Sequence, residues 1–401
     1  MHMSEIMKKI LVISEDFFPG VGGTVIYTNN LCQSLVKDGH HVILLAPHRP
    51  EDEQLTHEFE YQVERFGKCI KNGTLKRIYT AAYLFKNINK YIEKYNPDII
   101  HISAGQYAMF GLTCRIKKLT KPLIWTIHNV APAEVQPLYL SNNERLNHLI
   151  NSVYYYLLWK VDCFTIRCKR YSQIISVSES TRQKIIKAGG DAEKISIVPN
   201  GVISKSNYES LEQGISHDEF NVVVVGRLSR NKGQYQMLLA LDKLVNRIPN
   251  IKCYFVGPTN DTEYVSEIQS YINMNFIHDE AIMTGAVSDD DLEYYYSICD
   301  VYVQPSYQEG FSITVMEAML HGKPVIGTET GAIPMLLSDG RGICVKSPEP
   351  ELLADAIYQM YSNSELRESC SKLGKQYILE NYEWSNVCKK IEKVYESQIH
   401  K

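Results

Sequence analysis

The chain has 401 residues, more than one ordinary hydrophobic core accommodates, so its length predicts two domains. Apolar residues make up 44% and charged residues 22% of the chain, a composition typical of folded globular proteins and not of disordered ones. Because 42 lysines and arginines face 46 aspartates and glutamates, the formal charge is −4, which argues against the broad basic field of nucleic-acid-binding proteins.

The N-terminal apolar run, Ile10–Ile13, is too short for the core of a signal peptide. The ten cysteines are scattered without a Cys-x-x-Cys pair, as expected of reduced thiols in a cytosol. No stretch of about 18 uncharged apolar residues occurs, so we expect no membrane-spanning helix. These features predict a cytoplasmic protein.

In the first half of the chain, short apolar runs alternate with longer helical patterns. The runs are continuously apolar, as expected of strands that are covered on both faces of a parallel sheet. They lie at Ile10–Ile13, Val42–Ala46, Ile99–Ile102, Leu123–Ile127, Ile174–Val177 and Ile195–Val198. The alternation of strands with helices predicts a doubly wound α/β domain.

Two segments after these strands carry candidate binding residues. The loop from Pro19 to Gly23 follows the first strand, and Gly22 and Gly23 lack side chains that would obstruct a diphosphate or an acceptor. His128 follows the fourth strand, at the sheet edge where open α/β domains bind ligands. Alone, the glycine loop indicates only a phosphate ligand, and a lone histidine is more often structural.

The stretch from Ser204 to Glu219 is polar and aperiodic, so we predict the interdomain linker there. A second series of strands and helices follows it, with the same opening of strand, glycine-containing loop and helix. Its predicted strands are Val222–Val225, Ile251–Val256, Ile282–Thr284, Val301–Val303, Val325–Ile326 and Ile343–Val345. The second half is therefore also predicted to be a doubly wound parallel sheet.

Charged residues in this half follow predicted strands at two places. Arg227 and Lys232 lie in the loop after the strand at Val222–Val225, where cations can meet the charge on a departing phosphate. Glu309 and Glu317 flank a predicted helix start whose unpaired N–H groups attract phosphate. At about 1.5 Å per residue, the two carboxylates fit a long ligand with hydroxyls at both ends and negative charge between them, such as a nucleotide sugar.

The segment from Glu309 to Glu317 resembles the E-x7-E motif of the retaining glycosyltransferases of family 4, which adopt the GT-B fold. Four further segments resemble motifs of this family and occur in the expected order over nearly the whole chain. They are Pro19–Gly23, Thr126–Asn129, Val198–Val202 and Val225–Gly233. The resemblance implies two Rossmann-like domains that face an interdomain cleft.

The resemblance also implies domain roles. Residues 1–203 would form the acceptor-side domain and residues 204–375 the nucleotide-sugar-binding domain. Residues 376–401 would form a C-terminal helix that crosses back to the first domain.

By the same resemblance, the catalytic residues are Glu309, His128, Arg227 and Lys232. Glu309 would hold the donor sugar, Glu317 the ribose hydroxyls and His128 the sugar. The backbone of Gly310, Phe311, Ser312 and Ile313 would lie at the diphosphate, and Gly257 and Val287 would line the nucleobase pocket. The segment from Thr330 to Met335 departs from the family pattern Gly-Gly-x-Pro-Glu, which puts its donor-sugar contacts in doubt.

No metal and no cofactor are expected. The run Ser288–Asp291 contains an Asp-x-Asp pattern, but it precedes a helical pattern and is typical of an N-cap with acids in the first turn. Histidines and cysteines lack the spacing of zinc ligands.

Two tracts favour peripheral contact with a membrane, although each is also typical of a helix packed on its sheet. The tract from Lys68 to Lys94 interleaves lysines with apolar and aromatic residues. A second tract, from Leu149 to Trp159, is rich in tyrosine and is followed by basic residues.

The resemblance therefore implies a retaining, metal-independent glycosyltransferase. It would move a hexose from a nucleoside-diphosphate sugar, with a UDP-sugar favoured over GDP-mannose, to a glycan or lipid-linked acceptor in bacterial surface polysaccharide synthesis. The alternatives are a nucleotide-sugar epimerase of GT-B fold and a non-catalytic nucleotide-sugar-binding protein. A dinucleotide oxidoreductase is disfavoured because Pro19–Gly23 lacks the Gly-x-Gly-x-x-Gly register.

Overall fold

The computed structural model describes residues 7–19, 23–49, 59–70, 73–115, 119–130, 145–203, 218–259 and 261–399. The chain divides into two compact units. The first unit comprises Met1–Gly201 together with Trp384–Lys401, and the second comprises Val202–Glu383.

The first unit is built on a seven-stranded parallel sheet in the order β3-β2-β1-β4-β5-β6-β7. Its strands are β1 Lys9–Ser14, β2 His41–Pro47, β3 Gln62–Phe66, β4 Ile99–Ala104, β5 Leu123–Ile127, β6 Gln173–Ser176 and β7 Ile195–Ile197. Six of these strands match the predicted runs. The edge strand β3 was not predicted, because its sequence QVERF is half polar and lacks a continuous apolar run.

Successive residues of β1 point to opposite faces of this sheet, and each face has its own core. Leu11 and Ile13 pack in a cluster with residues of α2, α3 and α4 (Gly73–Tyr95, Gln106–Thr113 and Arg145–Arg167). Ile10 and Val12 pack in another with α1 and α13 (Gly23–Lys37 and Trp384–Ile399). Helices therefore cover both faces, as the continuously apolar strands require.

The second unit is built on a six-stranded parallel sheet in the order β10-β9-β8-β11-β12-β13. Its strands are β8 Phe220–Val225, β9 Ile251–Val256, β10 Ala281–Gly285, β11 Val301–Gln304, β12 Val325–Thr328 and β13 Ile343–Val345. All six match predicted runs. From β8 the chain adds β9 and β10 on one side of the sheet and then β11, β12 and β13 on the other. Open α/β sheets bind ligands at such a switch in strand order, which here lies between β8 and β11.

The remaining helices are α5 Glu179–Lys187, α6 Gln234–Asp242, α7 Thr262–Asn275, α8 Asp289–Ile298, α9 Ile313–Leu320, α10 Ile333–Leu337, α11 Pro350–Ser362 and α12 Ser364–Asn381. In the part of the chain that the structure describes, no helix has the length and apolarity needed to cross a bilayer.

The unit boundaries differ from the predicted ones. Residues 376–383 belong to the second unit because α12 continues to Asn381 and Tyr382 packs on Phe311 at 5.6 Å between ring centroids. The N–H of Val202 donates to the carbonyl of Tyr382, so a hydrogen bond joins the first residue of the second unit to a residue near its end. Most of the predicted linker, residues 204–217, lies outside the described residues.

Candidate active site

Glycines line the carboxyl ends of β8 and β9. Gly226 and Gly257 follow these strands with φ angles of 153° and 148°. A Cβ atom on Gly257 would lie 2.2 Å from the carbonyl oxygen of Gly226, so a side chain cannot be accommodated there without movement of the backbone. The two loops therefore pack backbone to backbone at this edge of the sheet.

Arg227 and Val287, both predicted site residues, lie in loops at the same edge. Arg227 follows Gly226, and its side chain is exposed, while its carbonyl accepts a hydrogen bond from Gln234 Nε2 at 3.0 Å. Among the described residues, no ion pair joins Arg227 to Glu309. Val287 is half-buried just after β10, and its contact with a nucleobase stays a prediction.

The loop that carries Lys232 is fixed by a glycine. Lys232 ends a 3-10 turn, Arg230–Lys232, and Gly233 then adopts a left-handed conformation with φ 72°. A Cβ atom at Gly233 would lie 1.9 Å from the carbonyl oxygen of Pro305. Only glycine permits this approach, which places the lysine beside the loop that follows β11.

Glu309 is the centre of a buried polar cluster, with 7% of its side chain exposed. Its Oε1 accepts hydrogen bonds from Lys232 Nζ at 2.7 Å, Ser306 Oγ at 2.7 Å and Gln304 Nε2 at 3.0 Å. A buried carboxylate needs such partners because desolvation without them is costly. The cluster thus holds one cation and one anion in contact at the sheet edge.

Gln304 orients this cluster from the end of β11. Its Oε1 accepts hydrogen bonds from Tyr302 OH at 2.6 Å and Thr314 Oγ1 at 3.0 Å. Since both bonds are to the amide oxygen, its NH2 group faces Ser306 and Glu309. The first turn of α9 and the strand end are thereby joined through one amide.

The start of α9 offers unpaired polar groups. Ser312 precedes the helix with φ 58°, a left-handed conformation, and its side chain makes no capping bond. Its Oγ is buried and finds no hydrogen-bond partner among the described residues. Phe311 is buried against Tyr382, so the Gly310–Ile313 segment is packed from one side. Backbone N–H groups at such a helix start favour an anion.

The segment from Thr330 to Met335, which departs from the family pattern Gly-Gly-x-Pro-Glu, packs on the loop that carries Glu309. Thr330 Oγ1 accepts a hydrogen bond from the N–H of Glu309 at 3.1 Å, and the N–H of Ala332 donates to the carbonyl of Gly310 at 3.1 Å. A Cβ atom on Gly331, whose φ is 59°, would lie 2.4 Å from that same carbonyl oxygen. This segment therefore positions the backbone of Glu309 and Gly310.

Glu317 lies half-buried inside α9 and is held separately from Glu309. Its Oε2 accepts a hydrogen bond from Tyr296 OH at 2.9 Å. The Tyr296 ring stacks on His321 at 4.8 Å, and His321 Nε2 lies 3.0 Å from Glu293 Oε2. Burial, followed by the neighbouring Glu317 carboxylate, raises the pKa of Tyr296 well above its usual value, so Tyr296 stays a donor to the carboxylate.

His128 belongs to the first unit, where it follows β5. Its Nε2 donates to the carbonyl of Ser103 at 2.9 Å, and its ring meets Tyr27 edge to face at 4.6 Å. Burial lowers the pKa of His128 to about 4, so the ring is neutral at pH 7. Because Nε2 carries the proton, Nδ1 is the atom that can accept a hydrogen bond.

The other predicted residues of the first unit are less defined. Gly23 is the first residue of α1, whereas Gly22 lies outside the described residues.

The first unit also contains a group of possible metal ligands: Asp38, Cys388 and Glu392 have ligand atoms within 4.8 Å of one another. Glu392 also accepts a hydrogen bond from His40 Nε2 at 2.7 Å. The expectation that the reaction needs no metal stays a prediction.

The two parallel-sheet units and the lysine–carboxylate pair at a sheet edge are features of a GT-B glycosyltransferase. The model of "Glycosyltransferase Family 4" matches residues 21–205, and that of "Glycosyl transferases group 1" matches residues 208–398. The chain therefore belongs to the group 1, family 4 glycosyltransferases. This confirms the predicted family and the two doubly wound sheets of the GT-B fold.

Relatives and solved structures match nearly the whole chain. An uncharacterized glycosyltransferase of Methanocaldococcus jannaschii is 25% identical over 96% of this chain and 97% of its own. The phosphatidylinositol N-acetylglucosaminyltransferase gpi3 subunit of Schizosaccharomyces pombe is 21% identical over 96% and 80%. Among solved structures, sucrose-phosphate synthase of Thermosynechococcus elongatus has a TM-score of 0.80 at 20% identity, covering 97% of this chain and 98% of its own. HepE of Anabaena in complex with UDP-glucose has a TM-score of 0.74 at 21% identity, covering 97% and 100%.

Sequence reasoning missed several residues that hold the predicted ones. Gln304 and Ser306 bind Glu309, Thr330 binds its backbone, and Tyr296 binds Glu317. The polar run that begins with Gln304, the last residue of β11, was a usable signal for Gln304 and Ser306. No comparable signal exists for Tyr296, since it is one of three consecutive tyrosines in α8.

Proposed function

We propose that this glycosyltransferase moves a hexose from a nucleoside-diphosphate sugar, with retention of the anomeric configuration and without a metal. The observation that carries the proposal is the contact between Lys232 and the buried Glu309 beside the start of α9. It places a cation, a carboxylate and free backbone donors within one loop cluster. A sugar diphosphate presents the complementary groups.

Charge stabilisation is the main task of such a site. When the bond between the anomeric carbon and the β-phosphate oxygen breaks, negative charge builds up on the diphosphate. Lys232 and the N–H groups at the start of α9 would stabilise that charge, and exposed Arg227 would add a second cation. These groups can act in place of a metal ion.

The carboxylates would position the two ends of the donor. All three side-chain hydrogen bonds to Glu309 reach Oε1, so Oε2 is the oxygen we expect to accept from a sugar hydroxyl. Glu317 would accept from the ribose hydroxyls, with Tyr296 fixing one of its oxygens. In the first unit, the neutral His128 would accept from the sugar through Nδ1.

Retention needs no protein nucleophile in this scheme. The acceptor hydroxyl would attack from the face that the diphosphate leaves and pass its proton to the departing phosphate. Nuclear magnetic resonance of the product's anomeric proton tests this step. An inverted product would overturn the retaining mechanism but not the glycosyl transfer.

A UDP-sugar is the donor we favour, with GDP-mannose next, since the structurally similar HepE was solved with UDP-glucose. Thermal-shift measurements with UDP-, GDP- and ADP-sugars test this choice. A ligand at 100 times its dissociation constant adds about 2.7 kcal/mol of stability, which such a measurement detects. An activity assay must then show that the sugar is transferred to an added acceptor. A sugar product formed in the absence of any acceptor would indicate an epimerase instead.

We further propose a glycan or lipid-linked acceptor, at the cytoplasmic face of a bacterial membrane and in surface polysaccharide synthesis. All ten cysteines are free, which suits a reducing compartment. Among the described side chains of α4, four large apolar ones are exposed on one face, namely Val153, Tyr156, Leu157 and Phe164. Such a face suits peripheral binding to lipid.

Vesicle flotation tests the membrane contact. The double variant Leu157→Gln and Phe164→Gln should release the protein from vesicles that contain anionic lipid. The control double variant Leu373→Gln and Leu379→Gln, which changes two other exposed leucines on α12, should remain bound. Equal flotation of both double variants would contradict the proposal.

A further inference from the structure

The first unit places an aromatic residue against His128 that the proposed function does not use. Helix α1 supplies Tyr27, and the two rings meet edge to face with 4.6 Å between their centroids and 82° between their planes. Aromatic rings favour this arrangement at such a distance. Tyr27 is 1% exposed whereas His128 is half-buried, so part of the imidazole stays open to a ligand while Tyr27 covers another part.

The ring of Tyr27 is itself held from α13. Trp384, the first residue of that helix, lies 5.3 Å from it between ring centroids. Both side chains belong to the core cluster on one face of the first sheet. Because side chains in a packed core have little room to change rotamer, Tyr27 offers His128 a fixed surface.

A buried series of hydrogen bonds holds the hydroxyl end of Tyr27. This hydroxyl lies 3.4 Å from Thr126 Oγ1, and the same oxygen lies 2.8 Å from His101 Nε2. His101 Nδ1 in turn lies 2.6 Å from the hydroxyl of Tyr395 in α13. Burial, followed by the nearby His128, lowers the pKa of His101 to about 3, so His101 is neutral at pH 7. Residues of β4 and β5 thereby connect Tyr27 to α13 a second time.

Thr28, the next residue of α1, supports the other contact of His128. Its Oγ1 lies 2.9 Å from Ser103 Oγ in a buried hydrogen bond, and the carbonyl of Ser103 accepts the N–H of His128 Nε2 at 2.9 Å. Two consecutive residues of α1 therefore act on the imidazole, Tyr27 directly and Thr28 through Ser103.

We propose that Tyr27 is a positioning residue for the transfer reaction, which holds the His128 ring so that Nδ1 faces the donor sugar. The inference rests on the proposed function, in which Nδ1 of His128 accepts a hydrogen bond from that sugar. The bond from Nε2 to Ser103 fixes one point of the imidazole, and the ring can still tilt about it. Contact with Tyr27 removes that freedom, and a small displacement of a group that positions a reacting sugar lowers the rate.

The pKa of His128 is the first readout, because it needs no turnover. Burial holds this pKa at about 4, below the ordinary value of 6.5. Tyr27→Leu should let water reach the imidazole and raise the pKa by at least about one unit, whereas Tyr27→Phe should leave it at the wild-type value. Nuclear magnetic resonance titration of the histidine rings measures all three proteins. An unchanged pKa in Tyr27→Leu would overturn the proposal.

Steady-state kinetics with a UDP-sugar are the second readout. Tyr27→Leu should lower kcat/KM by at least about tenfold, whereas Tyr27→Phe, which keeps the ring, should stay within about threefold of the wild type. The dissociation constant of UDP should change by less than about twofold in both variants, because the groups proposed to hold the nucleotide lie in the second unit. An equal loss of kcat/KM in both variants would assign the effect to the hydroxyl and overturn the proposal.

A double-mutant cycle shows whether Tyr27 acts through His128. In a chain that already carries His128→Ala, Tyr27→Leu should lower kcat/KM little further, because the residue that Tyr27 positions is gone. If the two losses simply multiply, Tyr27 acts independently of His128 and the proposal is wrong.

Tyr171→Leu is the matched control for the loss of a buried ring. Tyr171 is 2% exposed and packs on Trp125 at 6.5 Å, in the core on the opposite face of the same sheet. Its variant should lower the melting temperature and leave both kcat/KM and the pKa of His128 unchanged. Losses equal to those of Tyr27→Leu would show that general destabilisation explains them, against the proposal. If Tyr27→Leu does not fold, Tyr27→Met gives the same readouts, because the flexible methionine fills more of the space.

The two readouts also separate this proposal from the proposed function. Failure of the wild-type chain to transfer sugar from any nucleotide sugar would refute the proposed function. The titration of His128 would still show whether Tyr27 holds the imidazole, since it is measured without donor or acceptor.

Discussion

At the scale of single residues, Lys232 and Glu309 form an ion pair at 2.7 Å. Lys232→Ala would remove the cation that we propose stabilises the leaving phosphate, and it would leave a buried carboxylate with one partner fewer. We expect the transfer rate to fall by at least about 10²-fold, as for the loss of one preorganised electrostatic contact. Steady-state kinetics with a UDP-sugar donor measure this.

The control for this prediction is a lysine with an exposed partner. Lys243 lies 2.9 Å from Glu351, and both side chains are largely exposed, so Lys243→Ala should leave the rate unchanged. Wild-type turnover by Lys232→Ala would remove Lys232 from the mechanism.

Glu15 predicts a dependence of stability on pH. Burial raises its folded-state pKa to about 7, above the ordinary value of 4.5, so the unfolded chain releases this proton at lower pH than the folded chain does. The stability linked to Glu15 is complete below pH 4.5 and is lost as the pH rises through 7, by at most about 3 kcal/mol. Glu15→Gln should abolish this loss, because an amide does not titrate.

Urea denaturation at pH 5 and pH 8 measures the effect. The midpoint of Glu15→Gln should fall less between the two pH values than the wild-type midpoint does. Glu93→Gln, at an exposed position in α2, should behave like the wild type. Parallel pH profiles for all three proteins would show that Glu15 is ionised in the folded state.

Sequence patterns were informative at this scale where a charge follows a buried strand. Lys232 and Glu309 were both chosen as candidate site residues from that position, and the structure brings them into contact at 2.7 Å. Their roles in binding and catalysis stay predictions. Tyr296 was not identified, because its partner, Glu317, lies 21 residues away and only the packing of α8 on α9 joins them. Arg227 was paired with Lys232 by resemblance, but its exposed side chain is not part of the buried cluster.

At the scale of elements, the close approach of two loops explains why Gly233 precedes α6. Gly233→Ala would add a Cβ atom 1.9 Å from the carbonyl oxygen of Pro305 and force the Lys232 loop away from the Glu309 loop. We expect a loss of activity of at least about tenfold and a measurably lower melting temperature. Kinetics and thermal unfolding of the same sample test both expectations.

Gly340→Ala is the control that distinguishes the steric clash at Gly233 from the effect of backbone strain. Gly340 has φ 77°, close to the 72° of Gly233, but its added Cβ would meet only a leucine methyl group at 3.7 Å. It should lower stability through strain alone and keep the activity. An equal loss of activity in both variants would show that loop contact is not what Gly233 provides.

The strands were predictable to different degrees for a physical reason. Central strands such as β8 are buried on both faces and must be continuously apolar, which any reading of the sequence detects. Among the strands that the structure describes, the edge strand β3 pairs only with β2, so it tolerates Gln62, Glu64 and Arg65 and has no continuous apolar run. The boundary at Glu383 was missed because α12 and α13 form an almost continuous helical pattern that only Tyr382 and Glu383 interrupt.

At the scale of the whole molecule, the two units differ in how the chain builds them. The second unit is one continuous segment, Val202–Glu383, whereas the first needs α13 from the far end of the chain. That helix adds Trp384, Val387, Ile391 and Tyr395 to the core on one face of the first sheet. Each such side chain contributes about 1.5–3 kcal/mol when buried, against a typical net stability of about 5–15 kcal/mol.

Fragments of the chain test this difference. We expect residues 202–383 to fold alone and residues 1–201 to remain unfolded or aggregate. Joining residues 1–201 to 384–401 by a short glycine-serine linker should restore folding, because Gly201 is packed directly on the Trp384 ring. Circular dichroism and thermal unfolding measure this, and cooperative unfolding of 1–201 alone would contradict it.

The placement of α13 also bears on synthesis at the ribosome. The first unit is translated early, but its last helix emerges only after all of the second unit has been made. A nascent chain must therefore keep the part of this core that α13 covers, including the Tyr27 ring that packs on Trp384, exposed through the translation of about 180 further residues. A nonsense mutation just before Trp384 would consequently damage the half of the protein that was made first.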